Sequence, residues 1–263
     1  MKRVLIVYRQ RLGDIVGCLP AALHLSRLGH EVEFCCFPQY HAIFRCVSYC
    51  RPVGPEKLKR RGDYAQIYHL EITRREYDAY RASGINWRDY VYGKYEAIQP
   101  AAADLPWFDR MIEASEYALP ARYALAAPMG VSQVTRVNGE WFQSQCRTLS
   151  QDPWYILTDR PLAPRAAWGV PLRARSLEHL PALIAGASTF VTINSAPNII
   201  AAGVRKTWYQ VDEPGFGGQD NYHAPGQIVL HQPAHLARYS WRFQVNYWRR
   251  KLLGRSTESE LKK

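Results

Sequence analysis

No stretch of the 263-residue sequence approaches the ~18 consecutive apolar residues that a membrane-spanning helix needs. The opening "MKRVLIVYRQRLGD" has a basic start, but its apolar run before Arg9 is too short for a secretory signal. Cysteine is scarce and badly spaced for bridging or for zinc. Five of the six fall in the first fifty residues, Cys35 and Cys36 are adjacent, Cys46 and Cys50 are four apart, and no CxxC pair occurs. Free thiols in a reducing cytoplasm are the expectation. His24, His30, His41, His69 and His223 show neither HxxxH nor HExxH spacing, and the one HxxxH pair, His231 and His235, is interrupted by Pro233 and has no Glu, so no metal site is expected. No nucleophile-elbow pattern is present, which argues against an acyl-transfer hydrolase. There is no fixed-period repeat and no low-complexity tract.

What is present is a hydrophobic content of 47% and a basic balance, 34 Lys+Arg against 23 Asp+Glu, for a net +11. The first marks a globular chain long enough for one large domain or two small ones. The second suits an anionic partner, such as a nucleotide, a nucleic acid or an anionic lipid surface, although a solvated basic surface needs none.

The pattern along the chain is α/β. Residues 3–8 read as a short buried strand, "LPAALHLSRL" as a helix stopped by Gly29, and "HEVEFCCF" as a second strand: a β-α-β unit. "YHAIFRCV" reads as a helix and residues 64–72 as a strand. Residues 73–118 read as helical pieces rich in Arg, Tyr and Trp. From "LPARYALAAPMG" the rhythm restarts. Strands are expected at 122–127, in "WYILTD", "TFVTIN" and "TWYQVDE", with helices in "EWFQSQCRTL", "LEHLPALIAGA" and "APNIIAAGV". This divides the chain into residues 1–118, residues 119–235, and a basic helix and tail at 236–263. The expected architecture is two Rossmann-like parallel-sheet domains facing a cleft.

Two stretches carry chemistry. In "RLGDIVGCLPA", the loop after the first strand lies where open parallel sheets bind ligands. Asp14 there either caps the following helix or acts as a general base. In "LIAGASTFVTINSAPNIIAAGV", a buried strand ends at Asn194 and Ser195 and a helix opens with Pro197. Such a helix start is either a well-capped turn or a phosphate site.

Together these stretches resemble the heptosyltransferase-like glycosyltransferases, two-domain enzymes of GT-B type. The family's N-terminal pattern stands here as Gly13-Asp14 followed by Leu19-Pro20-Ala21. Its C-terminal pattern, Asp-Ser/Thr-Gly-x-x-His before an Ala-Ala helix, stands as Asn194-Ser195-Ala196-Pro197-Asn198. The resemblance covers most of residues 1–235, with motif detail at 2–45 and 176–220. The chain is shorter than is usual for the family. The resemblance implies an inverting transfer from a nucleotide-sugar donor, without a metal or cofactor, and a cytoplasmic or inner-membrane-peripheral location. It makes Asp14 the base. It puts Asn194, Ser195 and Asn198 on the donor, although Asn keeps the hydrogen-bonding oxygen and loses the charge of the family's Asp. It adds Ser132, Gln133 and Arg136 (with Thr135 nearby) from "PMGVSQVTR", and a phosphate-closing loop with Gly217, Gly218 and Gln219.

The acceptor side is expected around Arg11, Gly13 and Trp87, with the basic run Lys57, Lys59, Arg60 and Arg61. Lys and Arg interleaved with Trp87, Tyr90, Tyr92 and Tyr95 suit a polyanion, although the same run serves equally as a solvated face. Two acceptors stay open: a lipopolysaccharide-type glycolipid, and DNA carrying a hydroxymethylated pyrimidine of the kind phages make. A non-catalytic nucleotide- or nucleic-acid-binding protein on a decayed transferase fold is the rival reading.

Overall fold

The computed structural model describes residues 1–103, 107–128, 137–158, 168–204, 206–212 and 224–236. The basic helix expected at 236–263 lies outside them, apart from Leu236 at the end of a 3-10 turn, Ala234–Leu236.

The first half builds a four-stranded parallel sheet from β1 (Arg3–Val7), β2 (Glu31–Cys35), β3 (Cys50–Val53) and β4 (Gln66–His69), in the order β3-β2-β1-β4. The unbroken apolar run of β1 follows from burial on both faces. Val4 and Ile6 join a core shared with the helices. Leu5 and Val7 face a second layer with Cys35 and Tyr64. After β1 come two short helices, α1 (Leu12–Gly17) and α2 (Leu19–Arg27). Pro20 sits in the first turn of α2, and Gly29 follows its end at φ 82°. Such a left-handed stop favours glycine. The helix expected at "YHAIFRCV" is a 3-10 helix, Pro38–Cys46. Tyr40, Ile43 and Cys46 recur every three residues against the core, the period of a 3-10 helix and not of an α-helix. Helices α3 (Arg74–Ser83) and α4 (Trp87–Gly93) follow β4. A Thr73/Glu76 capping box opens α3.

The second half is a six-stranded parallel sheet: β5 (Ala124–Ala127), β6 (Trp154–Leu157), β7 (Val170–Leu172), β8 (Thr189–Ile193), β9 (Trp208–Asp212) and β10 (Gln227–His231). The spatial order is β10-β9-β8-β5-β6-β7. Numbered within this half, that is 6-5-4-1-2-3, the doubly wound order of a dinucleotide-binding sheet. Helices α5 (Gly139–Leu149), α6 (Leu180–Gly186) and α7 (Ala196–Gly203) cover it.

The two halves share one core, in which Val4 and Ile6 of the first sheet belong with Leu125, Phe190 and Trp208 of the second. Arg45 pairs with the buried Glu178 at 2.6 Å, and the Phe108 amide donates to the Gly203 carbonyl at 3.4 Å. Among the described residues, no helix is long and apolar enough to cross a membrane.

Candidate active site

Each sheet has a topological switch point, where loops leave two adjacent strands in opposite directions and open a crevice. In the first sheet it lies between β1 and β4. Tyr8 and Arg9 leave β1 there, and Leu70 and Glu71 leave β4. Arg9 joins the two loops. Its backbone N–H and Nε both donate to Glu71 Oε1, at 2.8 and 3.0 Å, and its Nη2 donates to Oε2 at 2.8 Å. This forked, charge-assisted pair fixes the crevice wall. Lys94 donates to the Glu71 carbonyl at 2.9 Å and pairs with Glu76 at 2.8 Å. Burial works against ionisation of Glu76, but the bonds from Lys94 and Thr73 outweigh it and hold the carboxyl at about 2. An open recess of about 700 Å³ beside them is lined by His69, Arg74, Arg75, Lys94 and Tyr95 among others.

Asp14 is the third residue of α1. The N-cap position is Arg11, whose side chain caps nothing, and Asp14 is bonded elsewhere. Its Oδ2 accepts from the Tyr8 hydroxyl at 2.8 Å. The carboxylate therefore does not act as a helix cap. Its residue keeps some exposed surface, yet protein crowds the acid group on nearly every side. Burial raises its pKa above the ordinary 3.8, against the lowering pull of the Tyr8 bond and of Arg11. Burial, with the Asp14 charge next in weight, pushes the Tyr8 phenol well above its usual value, so it stays a donor throughout the working range.

Two expected acceptor residues have other work here. Gly13 serves the domain interface: a Cβ at this position would lie 3.3 Å from both Ala196 Cα and Ile199 Cδ1 of α7. A side chain here would require α7 to give way by a few tenths of an ångström. Trp87 is half-buried, its ring in a T-shaped contact with Tyr8 at 5.9 Å and its edge against Gly17, so it also braces α1. Arg11 is exposed beside Asp14.

On the other wall, β8 ends at the second sheet's switch point, beside β5. Asn194 and Ser195 are half-buried there. Ser195 holds the N-cap position of α7, but its hydroxyl donates to the Ile193 carbonyl at 3.2 Å and does not cap. Pro197 has no N–H, and the Asn198 and Ile199 amides return to the Ser195 carbonyl at 3.0 and 3.4 Å. Among the described residues this first turn keeps one uncommitted N–H, that of Ala196, beside Gly13. It is a narrower phosphate contact than the sequence pattern suggests.

Asn198 does not line the cleft. It is fully buried: its Nδ2 donates to Gln210 Oε1 at 2.7 Å, while its Oδ1 accepts from Trp208 Nε1 at 2.7 Å and Gln227 Nε2 at 3.2 Å. Its buried amide is consumed in tying α7 to β9 and β10.

The basic run also lies apart from Asp14. Lys57, Lys59 and Arg60 sit on the connection that returns from the carboxyl end of β3 to the start of β4, over the sheet face lined by Leu5, Val7 and Tyr64. β3 and β4 run parallel at opposite edges of the sheet, so the chain must return between them, and the return packs Leu58 on the sheet face opposite the one that α1 covers. Arg61 begins the next 3-10 turn, and its side chain is not among those described. Ser132, Gln133, Thr135, Arg136, Gly217, Gly218 and Gln219 lie outside the described residues. Among the described residues, no group of three His, Cys, Asp or Glu side chains could hold a metal ion.

Sequence reasoning passed over Tyr8, Arg9, Glu71 and Lys94. A signal was available for three of them: Tyr8 and Arg9 directly follow β1, and Glu71 closely follows β4, the two strands that flank the switch point.

No protein-family model matches the sequence, and no curated protein does. Solved structures do match the fold. Escherichia coli heptosyltransferase WaaC with ADP superposes at a TM-score of 0.61 and 15% identity, over 94% of this chain and 99% of that one. E. coli ADP-heptose lps heptosyltransferase II gives 0.57 and 12%, over 97% and 99%. The chain has the GT-B fold. A family 9 glycosyl transferase from Veillonella parvula gives 0.57 and 10%, over 94% and 91%. In GT-B terms, the first turn of α1 with Asp14 belongs to the first domain and the β8–α7 turn to the second. They meet where Gly13 touches Ala196.

Proposed function

We propose that this chain is an inverting glycosyltransferase that moves a sugar from a nucleotide-sugar donor on the second domain to an acceptor hydroxyl on the first. The observation that carries the reading is the position of Asp14. It is a non-capping, burial-raised carboxylate at the switch point of the first sheet, next to Gly13, which packs on the α7 start at the switch point of the second. A carboxyl of raised pKa is a better base than an ordinary one and takes the proton of the attacking hydroxyl. The donor diphosphate leaves toward the Ala196 N–H and the positive end of α7, and neither requires a metal. Asn194 and Ser195 are the described donor-side residues; Ser132, Gln133, Arg136 and the Gly217–Gly218–Gln219 loop would complete that side.

The acceptor best supported is a lipopolysaccharide-type glycolipid. Its support is the fold shared with the heptosyltransferases and the recess at the carboxyl end of β4, where Arg74, Arg75 and Lys94 stand beside Glu71 and Glu76 and leave a small cationic excess for a few fixed anionic groups. The basic run that pointed to DNA lies away from Asp14.

The test is consumption of nucleotide sugars by the purified chain, with released nucleoside diphosphate and acceptor mass as readouts. Truncated glycolipid and hydroxymethylated duplex DNA would be offered in parallel. Diphosphate release coupled to a hexose- or heptose-sized mass gain on the glycolipid is expected. Transfer to DNA alone would replace the acceptor, and no consumption of any nucleotide sugar would leave the rival binding protein.

A further inference from the structure

We propose that Tyr8 is a positioning residue for the Asp14 carboxylate, holding Oδ2 so that Oδ1 stays turned toward the acceptor hydroxyl. This rests on the transferase reading above. The hydroxyl-to-carboxylate distance is 2.8 Å, and Tyr8 is 4% exposed at the rigid end of β1. Its ring is held edge-on by Trp87, which packs in turn on Gly17 of the helix that carries Asp14. Among the described residues no other hydrogen bond reaches the carboxylate. Without Tyr8, nothing else seen here fixes its rotation.

In the step, the acceptor O–H bond breaks and its proton goes to Asp14 Oδ1. The acceptor oxygen bonds to the anomeric carbon, and the bond from that carbon to the phosphate oxygen breaks. Its electron pair leaves on the diphosphate. The Tyr8 bond is stronger to the carboxylate than to the carboxylic acid formed. Tyr8 therefore gives up some basicity of Asp14 in exchange for its orientation.

The groups that face Asp14 are few. β1 brings Tyr8, the loop brings Arg11, and the α1–α2 junction brings Cys18, whose thiol is pushed up by burial and by Asp14. Helix α7 carries no titratable side chain. On α4, Arg88 and Asp89 pair with one another at 3.5 Å, and Tyr92 donates to the Gly17 carbonyl.

The experiment uses Tyr8→Phe, which keeps the ring and its packing. In the full chain, a carbon-13 carboxyl titration reads the Asp14 pKa directly and needs no turnover. In Tyr8→Phe it should rise, by about one pH unit. The acid limb of kcat/KM should move up with it, while the plateau falls roughly 10–100-fold. In the Asp14→Asn background, Tyr8→Phe should cost nothing further, because residues acting as a unit are not additive. An unmoved Asp14 titration, or a full additional loss in the double variant, overturns the proposal. If no nucleotide sugar is consumed by the wild-type chain, the transferase reading fails, and the titration still decides whether Tyr8 controls Asp14.

Discussion

At the scale of the residue, Asp14 carries opposing demands. A desolvated carboxylate is a stronger base and a costlier charge. Its folded pKa is raised, so the native state binds its proton more tightly than the unfolded chain does. Stability therefore falls as pH rises from the ordinary 3.8 through the folded value, and the loss persists above it. Asp14→Asn removes the charge and keeps an oxygen for the Tyr8 hydroxyl. It should make the protein more stable than wild type at pH 7, with the advantage shrinking as pH falls through the folded pKa. Turnover should drop ~10²–10⁴-fold, the usual worth of a general base. Urea unfolding at several pH values and a donor-consumption assay measure both. A gain in stability with unchanged turnover would leave Asp14 without a catalytic role.

At the scale of the element, α7 does several jobs along its eight residues. Its start meets Gly13, its middle is pinned through Asn198 to Trp208, Gln210 and Gln227, and its end packs under Trp107 and Phe108. The pattern explains the burial of Asn198. A helix wedged between two sheets has no solvent to satisfy a mid-helix polar group, so the side-chain amide bonds to the neighbouring strands. Asn198→Ala would leave several buried partners unsatisfied and should destabilise the fold by roughly 2–4 kcal/mol. Asn194→Ala, at the half-buried strand end, should cost far less. Chemical denaturation of the pair distinguishes a core role from a donor role at 198.

At the scale of the whole molecule, the halves are joined by close backbone contacts as well as by a continuous core. A Cβ on Gly203 would lie 2.6–2.7 Å from Trp107 and Phe108 ring atoms, on the segment that links the two sheets. Gly203→Ala should therefore cost about 1–3 kcal/mol by overpacking, and it should loosen the domain contact before it disturbs either sheet. Hydrogen exchange should rise first in residues 107–123. The distribution of charge leads to a different prediction. With Lys57, Lys59 and Arg60 on the connection behind the first sheet, replacing them and Arg61 with Ala should leave turnover on a short glycolipid acceptor unchanged. A large loss of kcat/KM would bring that surface back into the acceptor path.

The sequence by itself determined the alternation of strands and helices, because continuous apolar runs bounded by Gly and Pro admit few other structures. It also determined that Asp14 follows the carboxyl end of β1, since β1 must end somewhere near Arg9 and the Gly-Asp pair comes next, although it did not show the short helix α1 that holds the pair. The strands that it concealed are β3, β7 and β10. All three are edge strands; β3 and β7 carry Pro52 and Pro171. An edge strand is paired on one side only and tolerates proline and polar residues, so its pattern is weak. Tertiary structure alone decided which polar residues meet. Tyr8 reaches Asp14, and Arg9 reaches Glu71 across 62 positions. Asn198 turns into the core, and the return from β3 to β4 takes the basic run away from the cleft. The physical reason is that a side chain's partners are set by strand order and by the approach of separate layers. Those depend on contacts between residues far apart in the chain, which local spacing does not encode.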